Sequence, residues 1–121
     1  MTTTNTYLAV FIGSKTSPRA KVWFALPEAE RKKREQAGIA AWKAWVGKHQ
    51  QAIAEMGGPL GKTKKVTDRG VEDASNQLGA FVVVRADSHE AAAKMFEKHP
   101  HFTHFPGEGV EVMPVMPIPA G

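Results

Sequence analysis

A chain of 121 residues has room for one domain with its own core, because folding at that size buries roughly two-thirds of the surface that the unfolded chain exposes. The absence of cysteine excludes disulfides, thiolate nucleophiles and thiolate zinc sites, leaving His, Asp and Glu as protein groups able to hold a metal. The net charge of +4 raises nucleic acid as a partner. However, the cations gather in Arg31-Lys32-Lys33-Arg34 and Lys62-Thr63-Lys64-Lys65 without interleaved aromatics, as a solvated helix face and a lysine-guarded edge strand would, so nucleic acid is not an expected partner.

In chain order, MTTTNTYLAVFIG lacks the basic start and long apolar segment of a signal peptide, and no apolar run reaches membrane-spanning length, so a cytoplasmic protein without a membrane partner is expected. Tyr7 to Ile12 is a short run of strand formers closed by Gly13, which predicts a buried strand. Residues 14–25 mix Ser, Pro and Lys with Val22, Trp23 and Phe24, and read as a long loop with an apolar anchor. Leu26-Pro27-Glu28 is a helix entrance, since proline suits the first helical position and glutamate the positive end of the dipole. A helix is predicted from there to about Glu55, with Gly38 as a kink or division point. Its second half places Trp42, Trp45, Val46, His49, Ile53 and Met56 on one face at steps of three or four.

Gly57-Gly58-Pro59 then serves as the helix stop, Gly61 to Thr67 as a short charged strand, and residues 68–77 as a polar loop. Gly79 to Arg85, nearly continuous in β-formers, is predicted to be a central strand, with Val82 and Val84 on one face and Phe81 and Val83 on the other. Asp87 or Ser88 caps a second helix whose buried face is Ala91, Met95 and Phe96 and which Pro100 stops. Gly109 to Pro114 alternates as a half-buried strand, and residues 1–5 and 117–121 are expected to be flexible tails of a single domain. The order βαββαβ predicts an α+β, ferredoxin-like fold, a four-stranded antiparallel sheet with two helices on one face. The second apolar sheet face needs cover, which a homodimer packing sheet to sheet would supply.

The stretch VTDRGVEDASNQLGAFVVVRADSHEAAAKMF, followed by GEGVEVMPVM, resembles the YCII-related family, especially its DGPF branch. That branch starts Val-Thr-Asp-Gly-Pro-Phe and continues through Gln-Leu-Gly-Gly-Phe to a closing Val-Glu-Val-Arg-Pro-Val-Met, and the spacing from Val66 to Phe81 matches without a gap. Trp42-x-x-Trp45 followed by Gly57-Gly58-Pro59-Leu60 is similar to its amino-terminal half, so the resemblance covers most of residues 5–116. It implies a dimeric α+β barrel, with an acid/base His and Asp pair in some members and dehydrochlorinase-like activity on chlorinated aromatics in a relative. The departures fall in the signature itself: Asp-Gly-Pro-Phe is here Asp68-Arg69-Gly70-Val71, the later acidic positions are Asp73 and Asn76, and the arginine of the closing strand is Met113.

For chemistry, His49 is the first candidate, because an imidazole on a partly apolar face stays neutral and can act as a base; Asp68 or Asp73 would orient it. The plainer reading, favoured by the pattern alone, is an ordinary helix histidine beside Trp45 and Ile53. Tyr7, Trp42, Trp45 and Phe81 either form core or line a pocket for a flat organic ligand, with His104 at its rim. His99, His101 and His104 invite a metal reading, but H-x-H-x-x-H is not a strong ligand signature and Pro100 and Pro106 turn the chain between them, so a helix exit is expected rather than a metal site. GGPLGK lacks the Walker spacing, and there is no GxSxG elbow. Two readings result, neither requiring a cofactor: acid/base chemistry on a small organic molecule, or a ligand-binding or accessory dimer without catalysis.

Overall fold

The computed structural model describes residues 5–119. Most of the expected tails lie outside them, and residues 5 and 117–119 carry no regular structure. In order the elements are β1 (Thr6–Ile12), α1 (Pro18–Ala25), α2 (Glu28–Lys48), β2 (Ile53–Pro59), β3 (Thr63–Thr67), β4 (Gly70–Ala74), β5 (Leu78–Arg85), α3 (His89–Lys94), α4 (Pro100–Thr103) and β6 (Gly109–Pro114). The main sheet has the order β2-β5-β1-β6 with every neighbour antiparallel, which is the ferredoxin-like arrangement. Tyr7, Ala9 and Phe11 of β1 and Val82 and Val84 of β5 share the face that meets Trp45 of α2 and Ala92 and Phe96 of α3. Leu8, Val10, Phe81 and Val83 alternate onto the opposite face.

Residues 14–25 are not a loop. Ser17 caps a helix by accepting from the Ala20 amide at 3.1 Å, Pro18 occupies its first turn, and Ala20 and Trp23 are buried. The local rule that defines this start, a serine directly before a proline, is present in the sequence but was outweighed by its polar neighbours.

The long helix stops at Lys48, not near Glu55. The His49 amide closes the last turn on the Trp45 carbonyl at 3.0 Å, and the chain then turns to form β2. Ile53 and Met56 fit a helical step, yet Arg85 N–H binds the Ala52 carbonyl at 2.6 Å and Ile53 pairs with Val84, so sheet pairing wins. Gly57-Gly58-Pro59 is therefore part of an irregular edge strand instead of a helix stop. Gly57 has φ +62°, and a Cβ there would lie 2.1 Å from the Phe81 carbonyl oxygen. The charged segment does form a strand, β3, but its partner is β4, drawn from the expected polar loop 68–77, and together they make a separate two-stranded sheet.

Gly38 neither kinks nor divides α2, which runs unbroken through it. It is buried because the chain after α4 packs against it: a Cβ at Gly38 would lie 2.5 Å from Cε2 and 2.7 Å from Cζ of Phe105. Arg31, Lys32 and Arg34 each pair with a glutamate one turn away on the exposed side of the same helix. Ser88 caps α3 as expected, its hydroxyl accepting from the Ala91 amide at 3.0 Å. The helix stops at Lys94, well short of Pro100, and Pro100 instead opens a second short helix, α4, which His99 caps and His101 enters, so the histidine run begins a helix and does not end one.

Close approach at Gly38 predicts an unusual sign. Gly38→Ala would raise the stability of an exposed helix by ~1 kcal/mol, but here the Phe105 ring must give way, and a net loss of about 1–2 kcal/mol is expected in urea melts. The double variant Gly38→Ala/Phe105→Ala should recover the clash component; a stabilised single variant would show that the contact is loose.

Candidate functional site

An apolar cleft of about 570 Å³ lies between α2 and the sheet. Ile39, Trp42, Trp45 and Val46 line it from α2; Ile53, Met56 and Gly57 to Pro59 from β2; Ala80 to Val82 from β5; Phe11 from β1; and Phe105 from the segment after α4. The cleft exists because β2 is an edge strand with register shifts at Glu55 and Gly57–Gly58, so it diverges from the regular sheet while the straight α2 passes over it. Lys43 is the one titratable side chain among the lining residues. Such a surface favours a flat, largely apolar molecule held by ring contacts.

The inner wall of this cleft backs onto a histidine. His99 is fully buried (0% exposed), with its ring centroid 4.5 Å from Trp42, 4.7 Å from Trp45, 5.0 Å from Phe11 and 5.9 Å from Phe96. Its Nδ1 accepts the His101 amide at 3.0 Å, which caps α4 and makes the proton-bearing nitrogen Nε2. Among the described residues that Nε2–H has no hydrogen-bond partner, and the Trp42 ring stands at 89° to the imidazole. Burial, reinforced by the neighbouring His101 and His49, holds the His99 pKa at about 4.

The other histidines are committed separately. The His101 ring binds the Ile12 carbonyl through Nε2 at 2.7 Å and fills the space over Gly107, where a Cβ would strike it. Its pKa is lowered chiefly by burial, against the opposing pull of the Ile12 bond and with Arg19 adding repulsion. His104 pairs through Nδ1 with the Thr103 hydroxyl at 3.0 Å. His89 stacks on Tyr7 at 5.5 Å and binds the Val112 carbonyl at 2.7 Å. Among the described residues no three His, Asp or Glu side chains converge as a metal would need.

Of the residues proposed from sequence, Trp42, Trp45 and Phe81 meet in the cleft. Tyr7 lies in the core, on the same sheet face but outside the lining. His104 borders a different, shallower depression with Arg19, Trp23 and Arg34. His49 caps α2 with its ring 4.8 Å from Trp45, and its pKa is lowered by partial burial and by Lys48. Asp68 is in the turn between β3 and β4, and Asp73 on β4 is bonded to Lys64; among the described residues no hydrogen bond or ion pair joins either to His49. Sequence reasoning passed over Phe11 and Ala80. The signal that locates them is the period-2 alternation of β1 and β5, which puts both on the helical face.

No family model matches the chain, and no curated protein does. Among solved structures it resembles the 5-chloro-2-hydroxyhydroquinone dehydrochlorinase of Burkholderia phenoliruptrix, in complex with 2,5-dihydroxybenzoquinone, with a TM-score of 0.50 and 18% identity over 88% of this chain and 89% of that one. The likeness is one of fold: a small α+β chain built on a four-stranded antiparallel sheet. Among the described residues no helix is long and apolar enough to cross a membrane.

The buried His99 sets a pH dependence. Its native pKa lies below the 6.5 of the unfolded chain, so the unfolded state binds the extra proton between those values. Stability is therefore complete above pH 6.5 and falls as pH drops toward 4, by about 2 kcal/mol at about pH 5, with His49 and His101 adding in the same direction. Urea melts at the two pH extremes should show the loss, and His99→Asn, which keeps a capping acceptor but does not titrate, should flatten it. Equal stability of the parent protein across that range would contradict a neutral buried imidazole.

Proposed function

We propose that this protein belongs to the YCII-related, DGPF-like group and binds a small, flat organic molecule in the cleft between α2 and the sheet. The observation that carries the reading is the cleft itself: two tryptophans with Phe11 and Phe105 face an open volume of about 570 Å³, where a core would have been filled. A ring-shaped ligand of phenol or quinone type would fit between indole faces and the β5 backbone, and the fold likeness to an enzyme crystallised with a dihydroxybenzoquinone points the same way. We further propose that the protein is a cytoplasmic homodimer whose second copy packs on the sheet face opposite the helices, where Leu8, Phe81 and Val83 are half-buried.

One observation favours catalysis as a second reading. His49 is held neutral and its ring lies against Trp45, a wall of the cleft, so a shift of that indole would let an imidazole base reach a bound ligand. Asp68 and Asp73 are the proposed partners from the sequence, and both ride on the β3–β4 hairpin, so their arrival at His49 requires that hairpin, or a second copy's, to approach. Otherwise the cleft acts by binding alone.

A panel of substituted phenols and hydroxyquinones, read by melting temperature and by tryptophan fluorescence, tests the binding reading. A ligand at a hundred times its Kd stabilises the native state by about 2.7 kcal/mol. Ala80→Leu, which fills the cleft from the sheet side, should weaken binding about tenfold or more while the fold persists. No response from the whole panel, or binding indifferent to Ala80→Leu, removes the cleft as the site. With a ligand in hand, His49→Ala separates the readings: lost turnover with intact binding supports catalysis.

A further inference from the structure

Outside the cleft, a second hollow of about 270 Å³ is lined from α1, from α2 and from the end of α4 with the residues that follow it. Its apolar part includes Trp23, 8% exposed, whose ring stands 5.9 Å from that of Phe105 at a tilt of 49°, and Leu26. Its polar part includes Arg19, Arg34 and His104, and no acid is among the lining residues. The volume falls just below the usual range for ligand pockets, about 300–1,000 Å³, which limits an occupant to about one ring and its substituents.

The polar groups are held in place by neighbours that do not cancel their charge. The Arg19 guanidinium donates to the Phe102 carbonyl, and among the described residues no acid pairs with it. A guanidinium carries five N–H donors, so most of the fork stays free after that bond. Arg34 binds Glu30 through Nη2 at 3.1 Å, an exposed pair one turn apart that water screens. Around the hollow, two arginines therefore stand against one glutamate. His104 adds an acceptor. Thr103 gives its one hydroxyl proton to the His99 carbonyl at 3.1 Å, so its contact with His104 Nδ1 at 3.0 Å needs the ring as donor. The proton is then on Nδ1, and Nε2 is left as a bare acceptor.

We infer that this hollow binds a small aromatic carboxylate with a hydroxyl beside its acid group. The ring lies on Trp23 and Phe105, the carboxylate meets Arg19 with Arg34 beside it, and the hydroxyl donates to His104 Nε2. Each demand on the ligand has its own origin: a guanidinium fork matches a planar carboxylate, the two rings favour an aromatic body over a bare anion, and an acceptor nitrogen favours a ligand that can donate. The site is distinct from the cleft, and Phe105 is the residue that lines both.

Calorimetric titration of the full chain with mandelate, phenylacetate and mandelamide tests the inference, because the three share one ring and differ in a hydroxyl or in a charge. Mandelate should bind with a Kd of about 1 mM. Phenylacetate, without the hydroxyl, should bind about threefold to tenfold more weakly, and mandelamide, without the charge, about tenfold or more. On adding mandelate, the indole N–H resonance of Trp23 should shift more than that of Trp45. Arg19→Gln should raise the mandelate Kd about tenfold, and His104→Ala should abolish the preference for mandelate over phenylacetate while both still bind. Ala80→Leu, which fills the cleft, should change none of these values. Far-UV circular dichroism checks the fold of each variant; if Arg19→Gln does not fold, the discrimination among the three compounds by the parent protein decides. Absence of binding at about 10 mM mandelate, equal binding of mandelamide, or binding that Ala80→Leu abolishes overturns the site. A mandelate preference that survives His104→Ala overturns the part given to that histidine.

Discussion

Everything on the helical side of the sheet is organised by one cage of rings. Phe11 from β1, Trp42 and Trp45 from α2, and Phe96 after α3 enclose His99, the residue that starts α4. Each ring arrives from a different part of the chain, so the cage ties the first strand, the long helix and the second helical segment into one unit. Trp45 also donates its indole N–H to the Met95 carbonyl at 2.8 Å, which fixes the cage to the end of α3 by a directional bond as well as by contact. A charged imidazole would be intolerable there, and the neutral ring behaves as an aromatic with one acceptor turned to the backbone.

The cleft is the complement of this cage. Rings that close tightly around His99 leave their outer faces toward β2, and β2 does not come back to meet them. The wall is therefore preorganised by interior packing, while the opposite side is an irregular edge with two glycines. The ligand proposed for the cleft would meet indole surfaces already held in place, so less ordering would be required at binding than in a pocket built from loops. The resemblance of the chain to a solved dehydrochlorinase is one of fold alone; the lining belongs to these residues.

Much of this was legible in the amino-acid order. The alternating residues of β1, the apolar run of β5 and the alternation of β6 each marked a strand, and with the capped helix before Pro100 they defined the sheet and its helical face. Trp42 and Trp45 could be placed on one helix face by spacing alone. What did not show was where helical spacing hands over to sheet pairing. Ile53 and Met56 satisfy both periods, and only the bonds to β5 decide between them. The hairpin was hidden for a similar reason: Gly70 to Ala74 is polar on its own, and becomes a strand because β3 lies beside it. The burial of His99 did not show in the expected helix exit, since it depends on rings far away in sequence.

Gly57 gives the cleft a property that side chains could not. Because any Cβ at that position would collide with the Phe81 carbonyl, β2 and β5 are locked in one register by backbone against backbone. The floor of the cleft is thus set by main-chain geometry, and the opposite wall by replaceable side chains on a regular helix. In the ligand site proposed above, selectivity could then drift through Ile39 or Lys43, which lie outside the ring cage, while the sheet stays as it is.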